Sequence, residues 1–116
     1  MRTYTDEEKE RGRRKLRRFH TFKDVHSGRG GAWAYIENRA ADLHAKKLRI
    51  SGRALLEEVR HGADNFTGRN GEKCEVNNDF AAAISRTLIA EHPEYKEHTE
   101  LRQSVFDVLM CEAEEN

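Results

Sequence analysis

Between Lys9 and Arg18 this 116-residue chain places seven basic side chains in ten residues. They are Lys9, Arg11, Arg13, Arg14, Lys15, Arg17 and Arg18, and Leu16 is the sole apolar residue among them. Such a segment can form a helix but cannot hold itself by burying a stripe. Its start is well marked. Thr5-Asp6-Glu7-Glu8 is a capping box, in which the Thr hydroxyl serves the Glu8 amide and the Glu8 carboxylate reaches back to the Thr5 amide. Acidic residues in the first turn and Arg17 and Arg18 in the last complement the helix dipole. The spacing predicts a helix from about Thr5 to Phe19, polar on all sides, with Gly12 costing about 1 kcal/mol relative to Ala.

The basic block belongs to a chain whose net charge is zero. Residues 1–58 carry 15 Lys and Arg against 9 Asp and Glu, and residues 59–116 carry 6 against 12. A chain divided this way presents a cationic and an anionic end, each able to select partners of opposite charge, and reads as a binding protein. Its length supports one core. No apolar run is long enough to cross a bilayer, and no hydrophobic stretch follows Met1 as a secretory signal needs. Cys74 and Cys111 fit no metal or redox spacing and read as reduced thiols of a cytoplasmic protein, with a disulfide as the alternative.

Thr21 to Gly31 breaks the helical pattern, and Ser27-Gly28-Arg29-Gly30-Gly31 reads as a joint. Residues 1–31 are therefore expected as a basic helical arm with its joint, and residues 32–116 as a compact helical domain. From Ala32 to about Leu48, Trp33, Ile36, Ala40 and Leu43 recur at helical spacing. Ser51 is an N-cap for a helix from Gly52 to about His61 that turns Leu55, Leu56 and Val59 inward. Asn70-Gly71, flanked by short strand-compatible runs, predicts a β-hairpin near residues 66–76. Asn77 or Asn78 then caps a helix from about Asp79 to His92, with Phe80, Ala83, Ile84, Thr87 and Leu88 on one stripe, and Pro93 stops it. Leu101 to Met110 fits a strand or a final helix, and the last five residues read as an acidic tail. The fold class expected is mainly α, a small helical bundle with one β-hairpin in winged-helix-like order behind a basic N-terminal helical arm.

Three constellations carry chemistry. On a helix Lys9, Arg13 and Arg17 share one face, with Arg11, Arg14, Lys15 and Arg18 on the neighbouring ones. Like charges at this density repel, and a nucleic-acid backbone relieves that repulsion while releasing its condensed ions. Pairing with the acidic half of the same chain, or plain solvation, are the alternatives. Second, the order helix, helix, hairpin, helix resembles winged-helix architecture, whose third helix enters the major groove. Asn77, Asn78 and Arg86 would then face the duplex, with Arg29 near the joint as a further contact. A loop of about fifteen residues before that helix, where such motifs use a turn of three or four, argues against it. Its acidic surroundings do so too. Third, the six histidines show no two-ligand spacing, although His20, Asp24 and His26 lie close in sequence. Gly28-Arg29-Gly30-Gly31 precedes a helix with no strand before it and is no phosphate loop. No cofactor, metal or catalytic group is expected.

Ile50-Ser51-Gly52-Arg53-Ala54-Leu55-Leu56-Glu57-Glu58-Val59-Arg60 is one of two segments that carry a resemblance. The other runs from Val76-Asn77-Asn78-Asp79-Phe80 through His92-Pro93-Glu94 to Leu101-Arg102. Together they are similar to small bacteriophage and prophage proteins with a helical body, over roughly residues 32–105. The resemblance implies phage origin and supplies no catalytic residues. Such accessory proteins often resemble anti-CRISPR or other anti-defence inhibitors in size and charge asymmetry. The expected function is thus non-enzymatic inhibition in the cytoplasm of a bacterial host, with nucleic acid or a nucleic-acid-binding host complex as partner and no membrane. A winged-helix-like DNA-binding regulator is the alternative. An oligomerisation protein whose arm and tail pair between copies is a third.

Overall fold

A computed structural model describes residues 3–99, 101 and 104–115, with side chains through Met110. Its first helix, α1, runs over Asp6–Val25. Both reciprocal bonds of the capping box form, Glu8 N to Thr5 Oγ1 at 3.1 Å and Thr5 N to Glu8 Oε1 at 3.2 Å. The helix does not stop near Phe19, because Phe19 and Phe22 are buried and extend a stripe begun by Gly12 and Leu16. Those four residues recur at steps of four, three and three, so the second half of α1 is an ordinary core-facing helix. Gly12 also has a packing role. A Cβ there would lie 2.8 Å from Leu109 Cδ1 and 2.9 Å from Val105 Cγ1, so the missing side chain lets α1 and the last helix approach closely.

Helix α2, Ala32–Ala45, follows a hydrogen-bonded corner. The carbonyl of His26 accepts from the amides of Trp33 and Ala34 at 3.1 and 3.2 Å, and its Nδ1 accepts from Ala32 N at 3.3 Å. One buried residue thus satisfies three of the amides that the N-terminus of α2 leaves open. Packing continues across this corner, where the sequence suggested a boundary. Phe19 meets Trp33 edge-on at 5.7 Å. At its far end α2 closes with Leu48 N on Leu43 O and Lys47 N on His44 O. That is a Schellman cap with Lys47, φ 58°, in the left-handed position that glycine favours.

Helix α3, Gly52–His61, is capped by Ser51, whose Oγ accepts from Ala54 N at 3.2 Å, and it buries Leu55, Leu56 and Val59 as its period implied. Helix α4, Phe80–Glu91, lies at the centre of the bundle against α1, α3 and the last helix. Neither Asn77 nor Asn78 is its N-cap. Asp79 holds that position, and Asn77 Oδ1 instead accepts from Asp79 N at 3.0 Å in a turn just before the helix. Pro93 stops α4 and opens a 3₁₀ segment, Pro93–His98. The segment left open between strand and helix resolves as α5, Val105–Glu115. The acidic tail falls largely within α5; its side chains, with that of Cys111, and Asn116 lie outside the described residues.

The expected hairpin is not built. Among the described residues there is no strand, and Thr67 and Lys73 make a single antiparallel bridge around Gly71. Gly68 N bonds Glu72 O at 2.9 Å beside that bridge, but the Phe66 amide that the next rung would use donates back to Ala63 O at 3.2 Å, and the ladder ends there. On the opposite edge Thr67 N donates to Gly30 O at 3.1 Å and Arg69 N to Val25 O at 3.0 Å, so this stretch is sewn to the α1–α2 corner.

Two substitutions test the packing. A Cβ at Gly52 would meet Ala81 O at 2.2 Å and Ser85 Oγ at 2.3 Å, whereas one at Gly28 meets nothing within 4 Å. Gly52→Ala is therefore expected to lose roughly 1–3 kcal/mol by thermal melting, with Gly28→Ala within about 0.5 kcal/mol of the parent. Lys47→Gly relieves a left-handed backbone and is expected to gain about 0.5–1 kcal/mol, a higher midpoint in the same melt.

Candidate functional site

The buried stripe of α1 determines where its cations point. Arg11, Arg13, Arg14, Arg17 and Arg18 are exposed, while Lys9 and Lys15 are half-buried. Their partners then divide them. Glu10 lies 3.5 Å from Arg13 and 3.9 Å from Arg17. Lys15 reaches Asp79 at 3.2 Å, and further along the helix Lys23 reaches Glu91 at 2.5 Å beneath the Trp33 ring. Arg11, Arg14 and Arg18 have no carboxylate within 4 Å among the described residues. Steps of three and four put these three on one stripe, roughly a third of a turn from the buried one. With no ion pair to offset it, their mutual repulsion is left to solvent or to a ligand.

Beside this stripe lies an open groove of about 800 Å³. Arg14, Arg17, Arg18 and Thr21 form its α1 wall, and Glu72, Lys73 and Glu75 its opposite wall. Phe22 and Phe80 lie buried beneath, with Val25 and Val76 half-exposed between the walls. One oxygen of Glu72, Oε2, is buried with no hydrogen-bond donor among the described residues. Nothing in the sequence marked Glu72, Lys73 or Val76, because the corner contacts that fold this stretch against α1 are long-range.

The secondary candidates fare differently. Arg86 is not on an exposed reading face: it is 8% exposed, and Nε and Nη2 bond Asp107 Oδ1 and Oδ2 at 2.7 and 3.3 Å while Nη1 bonds Ala82 O at 3.0 Å. Every residue of α4 from Phe80 to Ile89 is at least half-buried. Asn78 is exposed and accepts from Arg60, and Asn77 is exposed in its turn. Arg29 is exposed on the corner. The structure does not bring Arg29 or Arg86 to the groove; Asn77 lines its edge. His26, grouped in sequence with His20 and Asp24, uses Nδ1 on the Ala32 amide. Among the described residues no three His, Cys, Asp or Glu side chains are placed to share a metal ion. Burial pushes the half-buried Cys74 thiol up, away from the thiolate.

No family model, curated protein or solved structure matches this chain. No helix among the described residues is long and apolar enough to cross a membrane.

The Arg86–Asp107 pair makes a testable electrostatic contribution. Burial raises the Asp107 carboxyl, but the Arg86 guanidinium and the Ser104 amide outweigh it and hold the group below the usual range. A carboxyl depressed on folding stabilises above its unfolded value and ceases to do so as pH falls. Asp107→Asn is expected to cost about 1–2 kcal/mol at neutral pH, since the buried guanidinium keeps only part of its hydrogen bonding. That difference from the parent should shrink below about pH 4. Denaturant melts at several pH values measure both.

Proposed function

We propose that this protein binds nucleic acid, acting by occupancy, and that Arg11, Arg14 and Arg18 of α1 are the contact stripe. The observation that carries the reading is the selectivity of internal pairing. Arg13, Arg17, Lys15 and Lys23 have carboxylate partners within 4 Å, and the three arginines on one exposed line do not. A phosphate backbone offers such a line the counter-charge it lacks and gains from counterion release. Guanidinium groups suit it further, since their donor fork matches phosphate oxygens. The anti-defence role expected from the phage resemblance is one biological form of this activity: occupying a nucleic acid, or the nucleic-acid site of a host complex, needs affinity and no reaction.

The test is a fluorescence-anisotropy titration of a short labelled oligonucleotide of mixed sequence over a range of salt concentrations. Arg11→Ala, Arg14→Ala and Arg18→Ala together are expected to flatten the slope of log affinity against log salt by about two to three. Helical content should hold, because Ala is the strongest helix former. The paired double variant Arg13→Ala, Arg17→Ala should change the slope less. An unchanged slope and affinity in the triple variant would remove the stripe from the function.

A further inference from the structure

We propose that the groove between α1 and residues 72–77 takes the bases of a single-stranded nucleic acid, with the phosphates of the same strand lying along Arg11, Arg14 and Arg18. The proposal rests on the stripe reading above and adds the class of nucleic acid. Its basis is the asymmetry of the two walls. The α1 wall is cationic, with Arg14, Arg17 and Arg18, while the opposite wall sets Glu72 and Glu75 beside a lone Lys73. A duplex laid on this face would bring phosphates to both walls, and the second row would meet the carboxylates. A single strand is itself two-sided, phosphate along one edge and bases along the other, and its unstacked bases are free to turn into a cleft.

The far wall has what a base needs and a phosphate does not. Carboxylates accept hydrogen bonds from exocyclic amino groups and ring N–H groups of bases, and Glu72 and Glu75 set such acceptors along this wall. Between the walls Val25 and Val76 are half-exposed over the buried rings of Phe22 and Phe80, an apolar floor for the face of a base. The dimensions agree. The stripe rises about 4.5 Å from Arg11 to Arg14 and about 6 Å from Arg14 to Arg18, and a flexible strand can adjust to that spacing. A groove of about 800 Å³ exceeds the lower end of the volumes typical of ligand sites.

The experiment compares three probes on the full chain by anisotropy: a labelled single-stranded oligonucleotide of mixed sequence, the same strand annealed to its complement, and labelled poly-glutamate. The single strand is expected to bind about tenfold or more tighter than the duplex. Thr21→Met, which extends into the groove from its α1 wall, offers no ring to stack on and removes no cation, should weaken the single strand roughly fivefold or more by narrowing the space for stacked bases and leave the duplex unchanged. Circular dichroism reports whether that variant folds. Ultraviolet cross-linking of the single strand to the unmodified protein gives an independent readout, with adducts expected in peptides spanning residues 14–25 and 72–80. Equal affinity for duplex and single strand, a folded Thr21→Met variant with undiminished binding, or adducts confined elsewhere would overturn the groove assignment while leaving the stripe intact. Binding of poly-glutamate in preference to both nucleic acids, or of no probe, would overturn the stripe reading as well.

Discussion

Phe19 is the contact on which the remaining structure depends. Fully buried, it meets Trp33 of α2 edge-on at 5.7 Å and Phe80 of α4 edge-on at 5.6 Å, with Phe22 beside it at 6.3 Å. Aromatic pairs in these orientations add to the area they bury, and here one ring joins three helices. The consequence for α1 is rotational. Once Phe19 and Phe22 face the centre, every other side chain of the helix has a fixed direction, the arginines included. A 20-residue helix can then carry a strongly charged first half, because its second half and the α5 contact at Gly12 hold the whole rod. In isolation the charged half would be a marginal helix.

The corner at His26 extends the same constraint to the groove. His26 lies tilted against Phe22 at 5.2 Å, accepts the first amides of α2, and lies next to Val25, whose carbonyl takes the Arg69 amide. Aromatic packing, helix capping and the placement of residues 67–77 are therefore linked through two neighbouring residues. The groove is a by-product of this linkage. The segment that could have paired with itself as a hairpin is tied to the corner by the amides of its outer edge, and its remaining length, through Glu75, stands as a wall opposite α1.

What the sequence disclosed follows from the range of each interaction. The capping box at Thr5, the Ser51 cap and the Pro93 stop are set within three or four residues, and they stand where the residues place them. The helical stripes of α2, α3 and α4 were legible for the same reason, since period is a local property. The end of α1 was obscured because Gly12 occupies a core position without an apolar side chain, which leaves the stripe only Leu16, Phe19 and Phe22 as apolar members. The hairpin was misjudged because Asn70-Gly71 specifies a turn and says nothing about who else claims the flanking amides. Arg86 was misplaced because its partner Asp107 lies 21 residues on, in an element whose type was undecided. Of the site, the sequence disclosed the basic helix but not its division into paired and unpaired arginines, nor the wall that faces it.

The division of charge along the chain takes on a different meaning once folded. The cationic first half and anionic second half are not two separate fields. Lys15 is held by Asp79 and Lys23 by Glu91, each pair joining one half to the other. Arg39 pairs with Glu58 and Asp42 within the first half, and Arg86 with Asp107 within the second. With a net charge of zero, such a molecule has no net-charge attraction for a polyanion, and at physiological salt the Debye length of about 8 Å confines its local fields to near contact. Whatever affinity it has must come from cations that internal pairing leaves over. On α1 these are Arg11, Arg14 and Arg18, and their line is fixed by Phe19 on one side and bounded by the carboxylates of Glu72 and Glu75 across the groove. A ligand that profits from the line must place its negative charge on one edge only.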